Sequence, residues 1–465
     1  MRRFLPFLGT FLILSFPLAA LEVQVPEIIQ QAWERLVSAH PVPPGIESGS
    51  IVVQDTGQNS ALSRFKVVET TIMVPVARFW DVPTAVTRAL AESGRARLLP
   101  IESVVLPDIA LPVDGLYPGD PGYPLVRDLA VGIKGDDPAL VRWFESLPLS
   151  KLEALHRMQW IGAVGDIMPG RGVDEALLAP GGNQRVFGDT LPVLGGLDLL
   201  VGNLEAAATG AGVKTRKTYS FRFNPRALDS LASAGFKYLA LANNHTFDYG
   251  RDGFIETLES LAAAGISTSG AGRTDREASQ PAVLKVAGGE VRLLSFGAYP
   301  VDRAGFDGRI TARATRDRPG TLWLDDEGLA AASRGFSPLA FNIALVHGGV
   351  EWSAAPTAEQ RQSYRDLIHA GANLVIGSHP HVFQGLEAVD GGLIAYSLGN
   401  FLFPGMEGTP GGESSAILEV GIWRGKIVSV RVVPVRLHGG TVRLDPLQNT
   451  LAAIRSLSLT LNTPR

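Results

Sequence analysis

Leu374-Val375-Ile376-Gly377-Ser378-His379-Pro380-His381 is an apolar run that stops at a glycine and then presents two histidines. Four other apolar runs also stop at a short cluster of Asp, Asn, Glu or His. They read Ala163-Val164-Gly165-Asp166, Leu199-Leu200-Val201-Gly202-Asn203-Leu204-Glu205, Leu239-Ala240-Leu241-Ala242-Asn243-Asn244-His245 and Ile343-Ala344-Leu345-Val346-His347-Gly348-Gly349. Short apolar runs bounded by turn residues read as buried strands, and in open α/β sheets ligands bind in the crevice beyond the carboxyl ends of the strands. Five strands bringing Asp, Asn, Glu and His to that edge predict an α/β fold with one shared metal or catalytic site.

Between the runs the pattern is helical. Asn224 and Pro225 form a good helix start and Gly235 a stop. A second helix is expected over 253–264, with Phe254, Leu258 and Leu261 on one face and Gly265 after it. A third covers 358–370 and is closed by Gly371. Helices that each lead into a strand imply αβ layering around a central sheet. Residues 417–435 read as two or three plain strands, and the tail after Leu444 carries no signal.

Residues 21–148 differ. They are rich in Pro and Val, with turns at Val42-Pro43-Pro44-Gly45 and Pro118-Gly119-Asp120-Pro121-Gly122, β-like runs at 51–53 and 70–76, and a helical candidate over 83–93. The acid and histidine clusters are absent from this stretch, which reads as a separate, smaller α+β domain. Ahead of it, Met1-Arg2-Arg3 precedes an uncharged apolar run over 4–21. That is the form of an export signal, either removed or kept as a membrane anchor. The divisions expected are 1–21 signal peptide or anchor, 22–150 N-terminal domain, 157–440 metal domain and 441–465 tail.

Bulk properties exclude several classes. A 465-residue chain with 45% hydrophobic and 19% charged residues is globular rather than disordered. A net charge of −4 gives no bulk attraction to nucleic acid. There is no cysteine, so neither a disulfide nor a thiolate ligand is available.

Imidazole and carboxylate ligands suit divalent ions such as Zn, Mn or Fe. His379 and His381 are two apart, so in extended backbone they lie on the same side, and Pro380 favours that geometry. His347, followed by two glycines, marks a close approach of backbone to something. Asp166, Glu205 and Asn244 add oxygens. Asn244 and His245 are adjacent, so one faces metal while the other faces substrate. His369 reads as packing or surface, and His40, His156 and His438 as solvated. The stretch 206–226 holds no acid but carries Lys214, Arg216, Lys217, Arg222 and Arg226. With Arg171 it offers donors to an anionic ligand, or it is simply a solvated basic loop.

Gly165-Asp166-Ile167-Met168 with Arg171, Gly202-Asn203-Leu204-Glu205, Ala242-Asn243-Asn244-His245 with Asp248 and Gly250, His347-Gly348-Gly349-Val350-Glu351-Trp352, Gly377-Ser378-His379-Pro380-His381 and Ser397-Leu398-Gly399-Asn400-Phe401 together resemble the CapA (poly-γ-glutamate capsule synthesis) family of the calcineurin-like metallophosphoesterase superfamily. The resemblance runs over 161–403 with every block in family order. The N-terminal domain lies outside it; its segment 115–125 resembles a periplasmic solute-binding lobe.

The resemblance implies a four-layer αββα sandwich carrying two divalent metal ions (Mn, Zn or Fe). By family position Asp166 would bind the first metal and Glu205 would bridge both. Asn244, His347 and His379 would bind the second, and His381 would return to the first. His245 would act as general acid, with Arg171, Lys214, Arg216 and Arg222 toward substrate. Met168 stands where the superfamily usually has a histidine ligand, and thioether suits hard ions poorly. The implied protein is exported, periplasmic, extracellular or membrane-anchored. It would act on an anionic polymer or phosphoester in capsule or cell-surface polymer synthesis, in company with capsule-assembly proteins of the membrane. Either it hydrolyses a phosphoester, or it is a metal-bearing polymer-binding or scaffold subunit that hydrolyses nothing.

Overall fold

The computed structural model describes residues 158–463 apart from 287–288 and 447–448, and most of 64–147. Before these it describes the strands Leu12–Ile13, Leu21–Val25 and Gly49–Asp55. The turn expected at 42–45 lies outside the described residues, as does the leader expected over 1–21 except for its two short strand segments. Among the described residues, no helix is long and apolar enough to cross a membrane. The chain divides into two compact units. The first comprises Met1–Pro75, Ala85–Ser103 and Leu111–Arg157, and the second comprises Val76–Thr84, Val104–Ala110 and Met158–Arg465.

In the first unit, Gly49–Asp55 and Val126–Lys134 pair antiparallel. The helix expected over 83–93 is shorter, at Arg88–Glu92, because Thr87 rather than an earlier residue caps it by accepting from Leu90 N. A second helix, Pro138–Ser146, starts on Asp137, whose carboxylate accepts from Ala139 N.

The second unit alternates strand and helix. β1 (Gln159–Ile167), β2 (Leu199–Leu204), α1 (Ala227–Ser233), β3 (Phe236–Ala240) and α2 (Gly250–Ala263) come first. β4 (Ala282–Val286), β5 (Gly289–Ala298), α3 (Asp326–Gly335), β6 (Phe341–Gly348), α4 (Ala358–His369) and β7 (Leu374–Ser378) follow. The chain then runs through β8 (Leu386–Val389), β9 (Gly392–Ala395), β10 (Asn400–Leu402), β11 (Ser414–Trp423), β12 (Lys426–His438), β13 (Thr441–Leu444) and α5 (Asn449–Asn462).

Two sheets result. The first has the order β3-β2-β1-β11-β12-β13, with β10 also on β1; the second has the order β4-β5-β6-β7-β9-β8. β1, β2 and β3 are parallel, as are β5, β6, β7 and β9, so each sheet gathers several strand carboxyl ends on one edge. Helices cover the outer faces. Leu200, Leu204 and Phe236 share an apolar cluster with Leu228 of α1 and Phe254 and Leu261 of α2. Val346, Val375 and Ile394 share another with Ala332 of α3 and Tyr364 and Leu367 of α4. The inner faces meet, since Asn203 and Ala240 line one small gap together with Leu345 and Ile376. The layering is αββα, as the resemblance implied.

Local chemistry sets the helix limits. Thr357 accepts from Gln360 N to start α4, and Gly371 with φ +106° ends it in a conformation that costs glycine little. Residues 417–435 form two strands rather than three, joined through Arg424 and Gly425, both at positive φ. The tail is structured: α5 lies along β8, the last strand of the second sheet. There Ser458 Oγ accepts from Leu386 N at 3.0 Å and Asn462 Oδ1 accepts from Ala388 N at 2.9 Å. These bonds satisfy backbone groups that an edge strand would otherwise leave open.

Candidate metal centre

Five strand ends deliver the polar cluster. Asp166 lies near the end of β1, and Glu205 follows β2. Asn244 and His245 follow β3, His347 is on β6, and His379 and His381 follow β7. Alternation along β6 turns Leu345 and His347 to the inner face and Val346 to the helices. β1 reaches the site by close approach: Asp166 N donates to Gly399 O at 2.9 Å, and a Cβ at Gly165 would sit 1.9 Å from that oxygen. Only glycine fits there.

All the titratable members are buried. Glu205 Oε1 is 3.8 Å from His347 Nε2, 3.9 Å from His381 Nε2 and 3.8 Å from His245 Nε2. His381 Nδ1 is 3.3 Å from Asp166 Oδ2, and the His347 and His379 rings are 4.7 Å apart. Asn244 Oδ1 stands 3.0 Å from His347 Nε2. Two groups of side chains can hold metal ions, Glu205 with His347 and His379, and Asp166 with Glu205 and His381; Glu205 belongs to both.

The histidine pair does not converge in the expected way. His379 has φ +98° and His381 φ +60°, so the segment after β7 is coiled into left-handed conformations rather than extended. Non-glycine residues adopt these only where the surroundings hold them. The holding bonds are visible: His379 N donates to Asp166 Oδ2 at 3.2 Å, and Trp352 N donates to Pro380 O at 2.8 Å. Asn400 fixes the second ring, its Nδ2 donating to His381 O and Gly412 O while its Oδ1 lies 2.9 Å from His381 Nδ1.

The residues fit a cation. Both carboxylate oxygens of Glu205 and both ring nitrogens of His379 are buried without a hydrogen-bond partner. A buried carboxylate without compensation costs several kcal/mol or shifts its pKa, and burial followed by the charge of Asp166 does raise Glu205 well above the usual carboxylate range. Burial, then the neighbouring His381, pushes His379 down to about 3. Burial, then His379, holds His347 well below an ordinary histidine. Neutral imidazoles facing a carboxylate with open lone pairs are a metal's donor set. His381 differs, because the hydrogen bond and charge of Asp166 outweigh burial and raise it.

Beside this cluster His245 Nδ1 lies 2.6 Å from Asp248 Oδ2, and Lys217 Nζ 2.6 Å from Asp248 Oδ1. Phe221 N also donates to Asp248 Oδ2 at 2.6 Å, while the Phe221 ring packs 4.3 Å from that of His245. Burial lowers His245; Asp248 opposes the shift and Lys217 reinforces it. Of the basic loop, Lys217 is the residue turned inward, its side chain only 1% exposed. Nothing in the run of five bases distinguishes it. Lys214 and Arg216 are exposed, and Arg222 lies over the Tyr249 ring at 4.7 Å. Arg171, at φ +56°, donates to Pro404 O and stacks 4.9 Å over Phe221. Met168 is fully buried in the apolar cluster. His369 is on the surface, 3.0 Å from Asp390.

A layered α/β protein with a buried His–carboxylate centre shared by two sheets is the class that fold and site define. The sequence profile described as "Bacterial capsule synthesis protein PGA_cap" matches residues 160–405, more than half of the chain, which belongs to that family. It is 30% identical over 290 residues to the capsule biosynthesis protein CapA of Bacillus anthracis, covering 60% of this chain and 67% of that one. It is also 30% identical over 291 residues to the PGA biosynthesis protein CapA of Bacillus subtilis, covering 61% and 74%. A probable polyglutamine synthesis accessory protein of Mycobacterium tuberculosis is 29% identical over 322 residues, covering 59% and 83%.

Proposed function

We propose that this chain is an exported accessory protein of capsular or cell-surface polymer synthesis, with a two-metal centre that hydrolyses a phosphoester. The observation that carries the reading is Glu205, whose two unpartnered oxygens lie between two sets of donors. Asp166, Glu205 and His381 would hold one divalent ion, and Glu205, Asn244, His347 and His379 would hold the other, with Mn, Zn or Fe matching the ligand types. Such a pair, when bound, supplies Lewis acidity toward phosphoryl oxygens and a water of lowered pKa.

The chain's own residues supply the rest. Asp248 accepts a hydrogen bond from Nδ1–H of His245 and so fixes the tautomer, leaving Nε2 directed toward Glu205. Lys217 compensates the charge of Asp248, so that Asp248 orients the ring. His245 Nε2 would take the proton given up by the attacking water and pass it to the departing oxygen. Phe221 and Phe403 wall the site, packed against His245 and His381 respectively, and exclude water from those rings. Arg171, Lys214, Arg216 and Arg222 give the rim its attraction for an anionic polymer or phosphoester. The arginine-led apolar run at the N-terminus supports export, and the partners proposed are capsule-assembly proteins of the membrane.

Met168 supports a second reading. Its burial in the core leaves the Asp166 group without an imidazole from that position, as suits a metal-bearing binding or scaffold subunit. His245→Ala separates the two. In a hydrolase it abolishes turnover of phosphomonoesters or phosphodiesters while bound metal is retained. Absence of metal-dependent hydrolysis in the wild type, across a broad panel, leaves the binding subunit as the function.

A further inference from the structure

Two buried amides connect the loop that carries His245 to the carboxylate of Asp166. Neither touches the exterior: Asn203 is 4% exposed and Asn243 fully buried. Asn243 Oδ1 accepts from His245 N at 3.0 Å and from Thr246 Oγ1 at 3.1 Å. Its Nδ2 donates to Leu204 O at 2.8 Å and to Asn203 Oδ1 at 3.1 Å. Asn203 Nδ2 then donates to Asp166 Oδ1 at 2.8 Å, and stands 3.1 Å from His347 Nδ1.

The direction of this chain is not free. A backbone N–H can only donate and a backbone carbonyl can only accept. His245 N and Leu204 O therefore fix which end of Asn243 is oxygen and which is nitrogen. With that settled, Asn203 must turn its oxygen to Asn243 and its NH₂ to Asp166. Asp166 receives a donor on Oδ1 from Asn203 and a donor on Oδ2 from His379 N. Its carboxylate plane is thus set from two sides, by the Asn203 side chain, which is in neither metal-holding set, and by the backbone of His379.

We infer that Asn203 and Asn243 are positioning residues for the metal centre: Asn243 locks the amide orientation of Asn203, and Asn203 locks the carboxylate of Asp166. The inference rests on the metal reading above and goes beyond it, because it assigns a role to two amides outside both groups of His and carboxylate ligands. Partners that orient a ligand typically change metal affinity about 10–100-fold when removed. Leucine is nearly isosteric with asparagine and can neither donate nor accept, so it removes the relay while filling its space.

The test is calorimetric titration of Mn²⁺ into EDTA-stripped full-length protein, with the melting temperature of the metal-free form as a stability control. Asn203→Leu is expected to weaken Mn²⁺ binding about 10–100-fold. Asn243→Leu is expected to weaken it by a smaller factor without touching a ligand. The double variant should bind no more weakly than Asn203→Leu alone, since the two act through one chain. Asn203→Leu binding within about twofold of wild type, or losses that simply multiply in the double variant, would overturn the inference. Should Asn203→Leu fail to fold, Asn243→Leu decides alone: unchanged affinity refutes the relay. Wild-type protein that binds no Mn²⁺ counts instead against the metal reading.

Discussion

The ion pair between Lys217 and Asp248 is the most heavily committed interaction next to the metal centre. Its Nζ–Oδ1 distance is 2.6 Å, and the two side chains are 1% and 0% exposed. Asp248 takes further hydrogen bonds from Phe221 N and from the His245 ring. Lys217 Nζ donates also to Asn244 O and lies 4.8 Å from the Phe306 ring. In Asp248→Asn the ammonium keeps that carbonyl and ring but loses its anion; in Lys217→Met the carboxylate keeps two N–H donors but loses its cation. Removing one member of a buried pair costs about 3–5 kcal/mol, which is about two to four decades in the unfolding equilibrium. Replacing both with neutral groups of similar volume is far cheaper, because no charge is left uncompensated. Urea denaturation of both single variants and of Lys217→Met/Asp248→Asn measures the coupling. The expected result is two severely destabilised singles and a double variant that recovers most of the loss. Singles that each cost under about 1 kcal/mol and add in the double variant would refute the reasoning, since that is the behaviour of solvent-screened pairs.

Other outcomes follow from the same geometry. In metal-free protein, His379, His347 and His245 all have folded-state pKa values below the unfolded value, so their contribution is present above about pH 6.5 and is lost as pH falls. His379 alone, held down to about 3, removes about 2 kcal/mol between pH 6.5 and 5. His381 and Glu205, both raised, act in the opposite sense, their stabilisation fading as pH rises, and are outweighed by the three depressed histidines. Thermal melts of stripped protein should therefore show a net loss on acidification over that interval, and a flat or rising profile contradicts it. Gly165→Ala places a methyl 1.9 Å from Gly399 O and should cost about 3 kcal/mol, read as a lower urea midpoint; a neutral result would mean that β1 approaches Gly399 less closely than described.

Much of this arrangement was legible in the chain. The five apolar runs are strands, and the glycines that end them mark real close approaches, most sharply at Gly165 and Gly377, whose Cβ atoms would meet backbone oxygens of Gly399 and Tyr396. The end of α4 at Gly371 followed from the glycine alone. Other features depend on tertiary contacts that no local pattern encodes. His379 and His381 sit at positive φ because bonds from Asp166 and Trp352 compensate the strain. Lys217 turns inward because Asp248 is there to meet it, and the four neighbouring bases look identical in one dimension. Helix α5 gives a weak pattern although Ile454, Leu457 and Leu461 recur at helical spacing; its polar residues Ser458 and Asn462, which bond the edge strand, obscure the apolar stripe. Val76–Thr84 and Val104–Ala110 belong to the second unit, an assignment that composition could not make.

Elemental analysis of purified protein, wild type beside Glu205→Gln, bears most directly on the account, because Glu205 is the one residue common to both ligand groups. Two divalent ions per wild-type chain, with both lost or severely depleted in Glu205→Gln, is the predicted result. Wild-type protein free of metal after exposure to Mn²⁺, Zn²⁺ and Fe²⁺, or a Glu205→Gln variant that keeps the full complement, would contradict it.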